Sequence, residues 1–488
     1  MSSIFKSSLG ITVVTVIGML FGLLKQIVIA KNYGTSSEYD NLLIALAIPS
    51  ILGGISITFF SSTLIPNLTP IKDDIKHLSE IVSFLVVRIF LSVVIGCAVA
   101  ISMSRPYLSH YTPFVGDRLS LTVELAIYAW IITGIEILNY FLTSLFHLKK
   151  RFLFPAVIHL MVPVGIISGV YLWHNSTGIK AIMIGWLLAV ITIFFFLLPV
   201  LKDYGVVFVH TKVLRRDKYN IKFLNVSLAV LIGGLPFTVL PAIDGFWASR
   251  LSEGSMSYIG YCTQITIAID SVVKNGVYFV LLPYLSENFS YGQEQIFWHR
   301  IRTVLFFLYT VMIPAVVFFS YFGHYLVGFL YQRGRFTEIS LKHVAGLLPF
   351  YLCGGLLAMV PVTILQRAYY ARLLYRPFAN IALVMIIVYF TFSGFLSQFW
   401  GVYGIGMAYN LYWFCFLLLT TISLRPTLFD KAMFALIFKL LVVSIVSIIS
   451  VHILPHEVKP IMKVLIGLMI LILFAYLLKI HKGVKIKM

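Results

Sequence analysis

The chain has 488 residues, of which 60% are hydrophobic and 11% charged, well under the roughly 25% charge usual in soluble domains. A spanning helix uses roughly 20 residues, so this apolar content is enough for about fourteen spans; a soluble enzyme and a disordered chain are both excluded, and the chain reads as an all-α polytopic membrane protein. The net charge of +19 does not indicate nucleic acid, because the basic residues sit singly between apolar blocks instead of gathering on one polar face.

Apolar stretches bounded by charge, Pro or Gly predict the first six spans at 8–30, 38–66, 81–103, 121–146, 154–174 and 178–200. The first follows a single charge, Lys6, with no small-residue cleavage site, and is read as retained. The polar stretch 201–222 comes next and carries Lys202, Lys212, Arg215, Arg216, Lys218 and Lys222. Six more spans follow at 223–247, 254–284, 300–323, 340–368, 376–397 and 401–423, and two further ones at 432–453 and 459–481. The predicted organisation is a first six-helix lobe at 1–200, a basic cytoplasmic linker at 201–222, a second six-helix lobe at 223–423, and two additional helices within 432–481. Cys97, Cys262, Cys353 and Cys415 all fall in apolar segments and read as core residues, not as a disulfide framework or metal site. His452, His456 and Glu457 have metal-ligand spacing, but Pro455 interrupts the helix that would present them.

Lys and Arg fall between spans roughly 23 to 9 in favour of the side that holds the N-terminus, which by the positive-inside rule places both termini in the cytoplasm. Two sequence matches divide the chain in the same way. Leu64-Ile65-Pro66 returns as Leu282-Pro283-Tyr284-Leu285, and His147–Arg151 returns as Tyr369–Leu373 at an offset of 222. Six spans separate the copies, an even number, so the two halves share one membrane orientation. A parallel repeat of this kind is a transporter architecture.

Ionisable groups inside spans carry the chemical information, since each costs about 2.5–3.5 kcal/mol at a helix centre and needs a wet cavity or a partner. Lys25, near the outer end of span one, either snorkels to the surface or contacts an anionic substrate. Asp40, at the start of span two, is a helix-start carboxylate favoured by the dipole or a gate partner of Lys25. Asp270 and Lys274 stand four apart on one face of span eight, as a self-neutralising pair or as cavity-lining groups. Asp244, near the end of span seven, is a candidate ligand for a cation or a proton relay, and equally an interfacial carboxylate; Glu136 in span four is similar. Arg88 and Lys439 lie near inner span ends and read as snorkelling.

Gly22-Leu23-Leu24-Lys25, Ala30-Lys31-Asn32-Tyr33-Gly34, Asp40, Ile48-Pro49 and Leu64-Ile65-Pro66 resemble the opening two helices of the lipid II flippase (MurJ/MviN) family. Phe246-Trp247-Ala248-Ser249 and Leu281-Leu282-Pro283 are similar to it as well. The most specific stretch is Leu330-Tyr331-Gln332-Arg333-Gly334-Arg335-Phe336-Thr337, which resembles the family's loop between spans nine and ten. The resemblance covers nearly the whole chain and implies a transporter of the multidrug, oligosaccharidyl-lipid and polysaccharide exporter superfamily in the bacterial cytoplasmic membrane. It implies alternating access by two six-helix lobes around a cationic cavity, with no enzyme activity, cofactor or metal. The partners it implies are an undecaprenyl-pyrophosphate-linked saccharide, membrane lipid and a monovalent cation. Lys25 matches a cavity Arg of the family, Asp40 its acidic residue at the start of span two, and Asp244 a position that binds a cation in some members. The chain departs at Met19, at Gly53-Gly54 and at Gln264, where the family carries Arg, with Lys274 further along the same span; span eleven has no carboxylate. The saccharide is therefore lipid II or another unit such as an exopolysaccharide or O-antigen repeat. A drug exporter would need a cavity dominated by carboxylates, opposite to Lys25 and Lys274.

The charge asymmetry predicts that Ser37→Cys and Thr337→Cys react with a membrane-impermeant thiol reagent in intact cells, and that Asp217→Cys reacts only after permeabilisation. Labelling of Asp217→Cys in intact cells would reverse the orientation.

Overall fold

In the computed structural model the described residues are 2–60, 64, 68, 74–206, 231–425, 428–453, 466 and 469, the side chains at 2–12, 58, 75, 272–280, 282, 283 and 451 excepted. They are almost entirely helical, with no strand among them. Eleven helices are long and apolar enough to cross a membrane, or twelve if one bent pair is a single span. The expected fourteenth span, 459–481, and the linker beyond residue 206 lie outside the described residues, apart from 466 and 469.

The chain forms two compact units, Met1–Ser257 with Arg333–Phe336, and Tyr258–Gln332 with Thr337–Met488. The first unit is built on α1 (Ser2–Tyr33), α2 (Ser37–Phe59), α3 (Ile75–Tyr111), α4 (Gly116–Leu148), α5 (Leu153–His159), α6 (Met161–Thr177), α7 (Lys180–Leu197) and the short α8 (Leu240–Ala248). Helix α4 is central: α2, α3 and α7 pack against it, and it buries Leu125, Ala129, Ile132, Phe141 and Leu145. Asp74 caps α3 by accepting from His77 N at 3.1 Å, satisfying one of the amides a helix start leaves open. Pro163 has no N–H to offer the His159 carbonyl, and the helix is interrupted at Leu160 between α5 and α6. Helices α6 and α7 approach at backbone distance, since a Cβ on Gly185 would run into the Gly165 carbonyl and one on Gly169 into the Ala181 carbonyl. Small residues at four-residue spacing permit that approach where lipid supplies no hydrophobic drive.

The expected continuous span 223–247 is broken over its described part. The helical stretch Leu231–Phe237, which ends in a 3-10 turn at Leu235–Phe237, meets α8 at 43°. Pro236 and Pro241 cause the break: Pro241 cannot donate to the Phe237 carbonyl, and its ring crowds that turn.

The second unit contains α9 (Ser255–Ser290, its first three residues counted with the first unit), α10 (Glu294–Tyr321), α11 (Gly323–Tyr331), α12 (Glu338–Gly354), α13 (Val360–Ala371), α14 (Tyr375–Trp400), α15 (Val402–Leu424) and α16 (Lys431–His452). A wide π turn, Gly355–Met359, joins α12 to α13, just ahead of Pro361. Aromatic packing centres on α15, where Tyr409 stacks on Tyr351 with centroids 4.6 Å apart.

The backbone repeats between the units. Helix α4 ends with Lys150 at φ 59°, and α13 with Leu373 at φ 59°. Each forms a Schellman motif: Lys150 N donates to His147 O and Arg151 N to Phe146 O, while Leu373 N donates to Tyr370 O and Leu374 N to Tyr369 O. Gly178 and Gly401 end α6 and α14 alike but without that motif, each at positive φ (58° and 54°) with ψ −133° and −134° and donating to the carbonyl four residues back. Both pairs are 223 residues apart, one more than the offset read from sequence. The match between His147–Arg151 and Tyr369–Leu373 therefore records a shared helix stop. Left-handed backbone costs an L-residue on the order of 1–2 kcal/mol, so Leu373→Gly should raise the melting temperature in detergent and Leu373→Val lower it. The opposite order would show that the left-handed cap is not what limits this turn.

Candidate functional site

Lys25 lies on α1 eight residues before the helix ends at Tyr33, about 12 Å of rise. That is deeper than the five residues expected, and beyond the reach of a lysine snorkelling to the helix end. Its side chain is half-buried, and no hydrogen bond or ion pair reaches it among the described residues. A Cβ placed on Gly22, one turn earlier, would meet nothing within 4 Å. This face of α1 borders open space, and Lys25 presents a positive charge beside it.

Asp40 is not its partner. The carboxylate is 3% exposed; Oδ1 accepts from Ser257 N at 2.8 Å and Ser257 Oγ at 2.6 Å, and Oδ2 accepts from Gly254 N at 2.7 Å. These donors belong to the first turn of α9, where amides lack intrahelical acceptors and the helix dipole favours a negative charge. Glu253 returns the interaction, accepting from Ser37 N at the start of α2 at 2.7 Å. The two helix starts are thus capped by each other's carboxylates, and a gate between Asp40 and Lys25 is not formed. Arg118 extends the cluster, donating from Nε to Asn41 Oδ1 at 3.0 Å with its guanidinium over Phe114.

The segment Arg333–Phe336 joins the same end of the unit. Arg335 N donates to Lys31 O at 2.9 Å. Gly334, at φ 60°, has its Cα against the Lys31 carbonyl, and Gly34, at φ 58°, lies against the Arg335 carbonyl, so that a Cβ on either would collide with backbone. This close approach accounts for the glycines in the two most specific sequence stretches. Sequence reasoning missed the roles of Glu253, Ser257, Gly34 and Gly334; the only local signal was glycine and acid beside predicted helix starts.

Asp244 is buried on α8, 4% exposed. Its neighbour Gly245 packs on Ile44 and Ala47 of α2 and on the Tyr111 hydroxyl, 2.8 Å from where a Cβ would stand. Tyr111 donates to the Ala242 carbonyl, and Arg250 donates to the Tyr111 and Phe246 carbonyls. The broken span and the buried carboxylate are therefore held together against α2 and α3. Gly54 packs at the same break: a Cβ there would strike the Thr238 side chain.

Asp270 is buried in α9, 3% exposed, in the second unit; Lys274 is on the same helix, but its side chain lies outside the described residues, and so does the expected pair. Glu136 accepts from Trp186 Nε1 at 3.0 Å. Of the sequence-predicted site residues, Lys25, Asp40 and Asp244 fall in the first unit and Asp270 in the second.

Asp40→Ala removes three charge-assisted bonds and leaves two amides and a hydroxyl uncapped, which should cost on the order of 3 kcal/mol or more and lower the melting temperature in detergent. Lys25→Ala should melt like the parent. Equal melting of parent and Asp40→Ala would remove the structural role of the cap.

The lipid II flippase MurJ family model matches residues 29–475. The chain is 24% identical to a probable lipid II flippase MurJ of Thermotoga maritima over 492 residues, covering 99% of this chain and 98% of that protein. It is 23% identical to the Vibrio cholerae serotype O1 protein of the same description over 426 residues, 84% of this chain and 80% of that protein. A solved lipid II flippase MurJ in an inward closed conformation superposes with a TM-score of 0.78 at 18% identity, covering 96% of this chain and 98% of that one. An inward-facing multidrug resistance MATE transporter of the MOP superfamily superposes at 0.64 and 13% identity, covering 85% and 96%. With the family match spanning nearly the whole chain and the same helical fold in the solved structure, this chain belongs to the lipid II flippase MurJ family.

Proposed function

We propose that the chain translocates lipid II across the bacterial cytoplasmic membrane by alternating access, with both termini in the cytoplasm. The family match from residue 29 to residue 475 supports the substrate, and one observation supports the mechanism: Lys25 is a cation inside a span, beside open space, with no acidic partner among the described residues. Moving a pyrophosphate-linked saccharide across about 30 Å of hydrocarbon requires a positive charge that is not already neutralised. The Asp40 carboxylate, spent on the start of α9, leaves Lys25 available for that role. Lys274 and Asp270 are the corresponding contact proposed for the second half.

The chain has no nucleotide-hydrolysing motif, so translocation draws on the membrane potential, worth about 2.3 kcal/mol per charge per 100 mV, or on a cation gradient. Asp244 is the proposed coupling site for a monovalent cation, because a buried carboxylate on a half-helix at a bend is the arrangement transporters use to hold one.

Expression of the chain should rescue a bacterium depleted of its own lipid II flippase. Lys25→Ala should abolish the rescue at unchanged protein level, and Lys25→Arg should keep part of it. Full rescue by Lys25→Ala would sink the headgroup role. Failure of the parent to rescue flippase loss, together with restored export in a strain lacking a polysaccharide repeat-unit flippase, would move the substrate to that class.

A further inference from the structure

A groove of about 340 Å³ opens on the first unit between α2, α3 and α4 and is lined by Leu52, Arg88, Ser92, Gly96, Trp130 and Thr133, among others. Its α3 wall faces away from the protein: no residue of the most apolar stretch of that helix is buried, and Ile95, next to the groove, is 61% exposed. The wall is therefore in contact with bilayer. Arg88 stands 13 residues into α3, about 20 Å along a helix about 55 Å long. Centred on roughly 30 Å of hydrocarbon, that helix holds Arg88 roughly 7 Å inside the boundary, a depth from which its side chain reaches the phosphate level. The charge asymmetry assigns that boundary to the cytoplasmic leaflet, which carries the anionic lipids.

Three features follow one another along the groove. Arg88 is exposed and rests over Phe84, its guanidinium 5.0 Å from the ring centroid, with no acidic partner among the described residues. Ser92 is one turn further in, on the same face. Three other serines of α3 turn their hydroxyls back on their own helix, Ser102 to Val99 O, Ser104 to Ala100 O and Ser109 to Pro106 O. Ser92 makes no hydrogen bond among the described residues, although a hydroxyl in hydrocarbon is expected to find an acceptor. One turn beyond it Gly96 leaves space: a Cβ there would meet nothing within 4 Å.

We infer that this groove is a binding site for one anionic phospholipid of the cytoplasmic leaflet, its phosphate paired with Arg88, an ester carbonyl accepting from Ser92, and an acyl chain lying along Gly96 toward Trp130. The order of cation, hydroxyl donor and apolar channel along α3 is the order of phosphate, ester and chain in such a lipid. Bulk phospholipid also far outnumbers any biosynthetic intermediate in the leaflet, so it occupies the site by mass action. The site needs nothing from the proposed transport reaction, and its occupancy is read without measuring transport.

The test uses the purified full-length chain in detergent, titrated with phosphatidylglycerol or phosphatidylcholine and read by native mass spectrometry. The parent should retain one phosphatidylglycerol in preference to phosphatidylcholine. Arg88→Gln should bind it about tenfold more weakly, equivalent to about 1.4 kcal/mol, and Arg88→Lys should fall between. Gly96→Leu fills the groove while leaving Arg88 in place, and should weaken binding to a similar extent. Binding by either Arg88→Gln or Gly96→Leu at parental strength would overturn the site, as would equal retention of the two lipids by the parent. Displacement of bound phosphatidylglycerol by an equal amount of undecaprenyl phosphate would also overturn it, because the groove would then belong to polyprenyl lipid.

Discussion

The reciprocal cap between α2 and α9 is the constraint on which the end of the first unit where these helices start depends. A helix that starts inside a membrane protein carries amides with no acceptor, and neither lipid nor packed apolar side chains supply one. Asp40 and Glu253 solve this for each other's helices with four bonds of 2.6–2.8 Å. The solution uses up the carboxylate nearest in sequence to Lys25. That carboxylate is committed to structure and is not the partner of Lys25.

The same economy of acceptors shapes the broken span. Two prolines remove the amides that would carry the helix through, and the bend is stabilised from outside by Tyr111, Arg250 and the close approach of Gly54 and Gly245. Asp244 is buried because α8 is pressed on α2 at that bend. Gly54 and the broken span thus meet in one close contact at Thr238.

Cations in this chain divide by what surrounds them. Lys25 stands beside open space on a helix packed against α6, whereas Arg88 lies on a surface that meets lipid. Both lack an acidic partner among the described residues. Under the two proposals each cation meets an anion brought by a ligand, a lipid-linked pyrophosphate at Lys25 and a phospholipid phosphate at Arg88.

Hydropathy was enough to give the all-helical membrane-spanning fold class, and the motifs of the first two helices and of the loop from Leu330 to Thr337 carried the resemblance to the family. These properties are local: an apolar run of sufficient length must cross the bilayer whatever its neighbours are, and the loop from Leu330 to Thr337 is specific by itself. Of the two repeated stretches only the one read at an offset of 222 lies within one residue of the backbone repeat, and the difference came from aligning side chains where the shared feature was the left-handed backbone of Lys150 and Leu373. The prolines of span seven were visible, but their consequence was not, since a proline bends or merely tilts a membrane helix according to what packs against the freed carbonyls. Asp40 was read from sequence either as a helix-start carboxylate or as a gate partner of Lys25, and its donors belong instead to the start of α9. Its donors lie 214 and 217 residues away, and only the tertiary structure brings two helix starts together, because the amides that attract a carboxylate belong to whichever helix the fold places beside it.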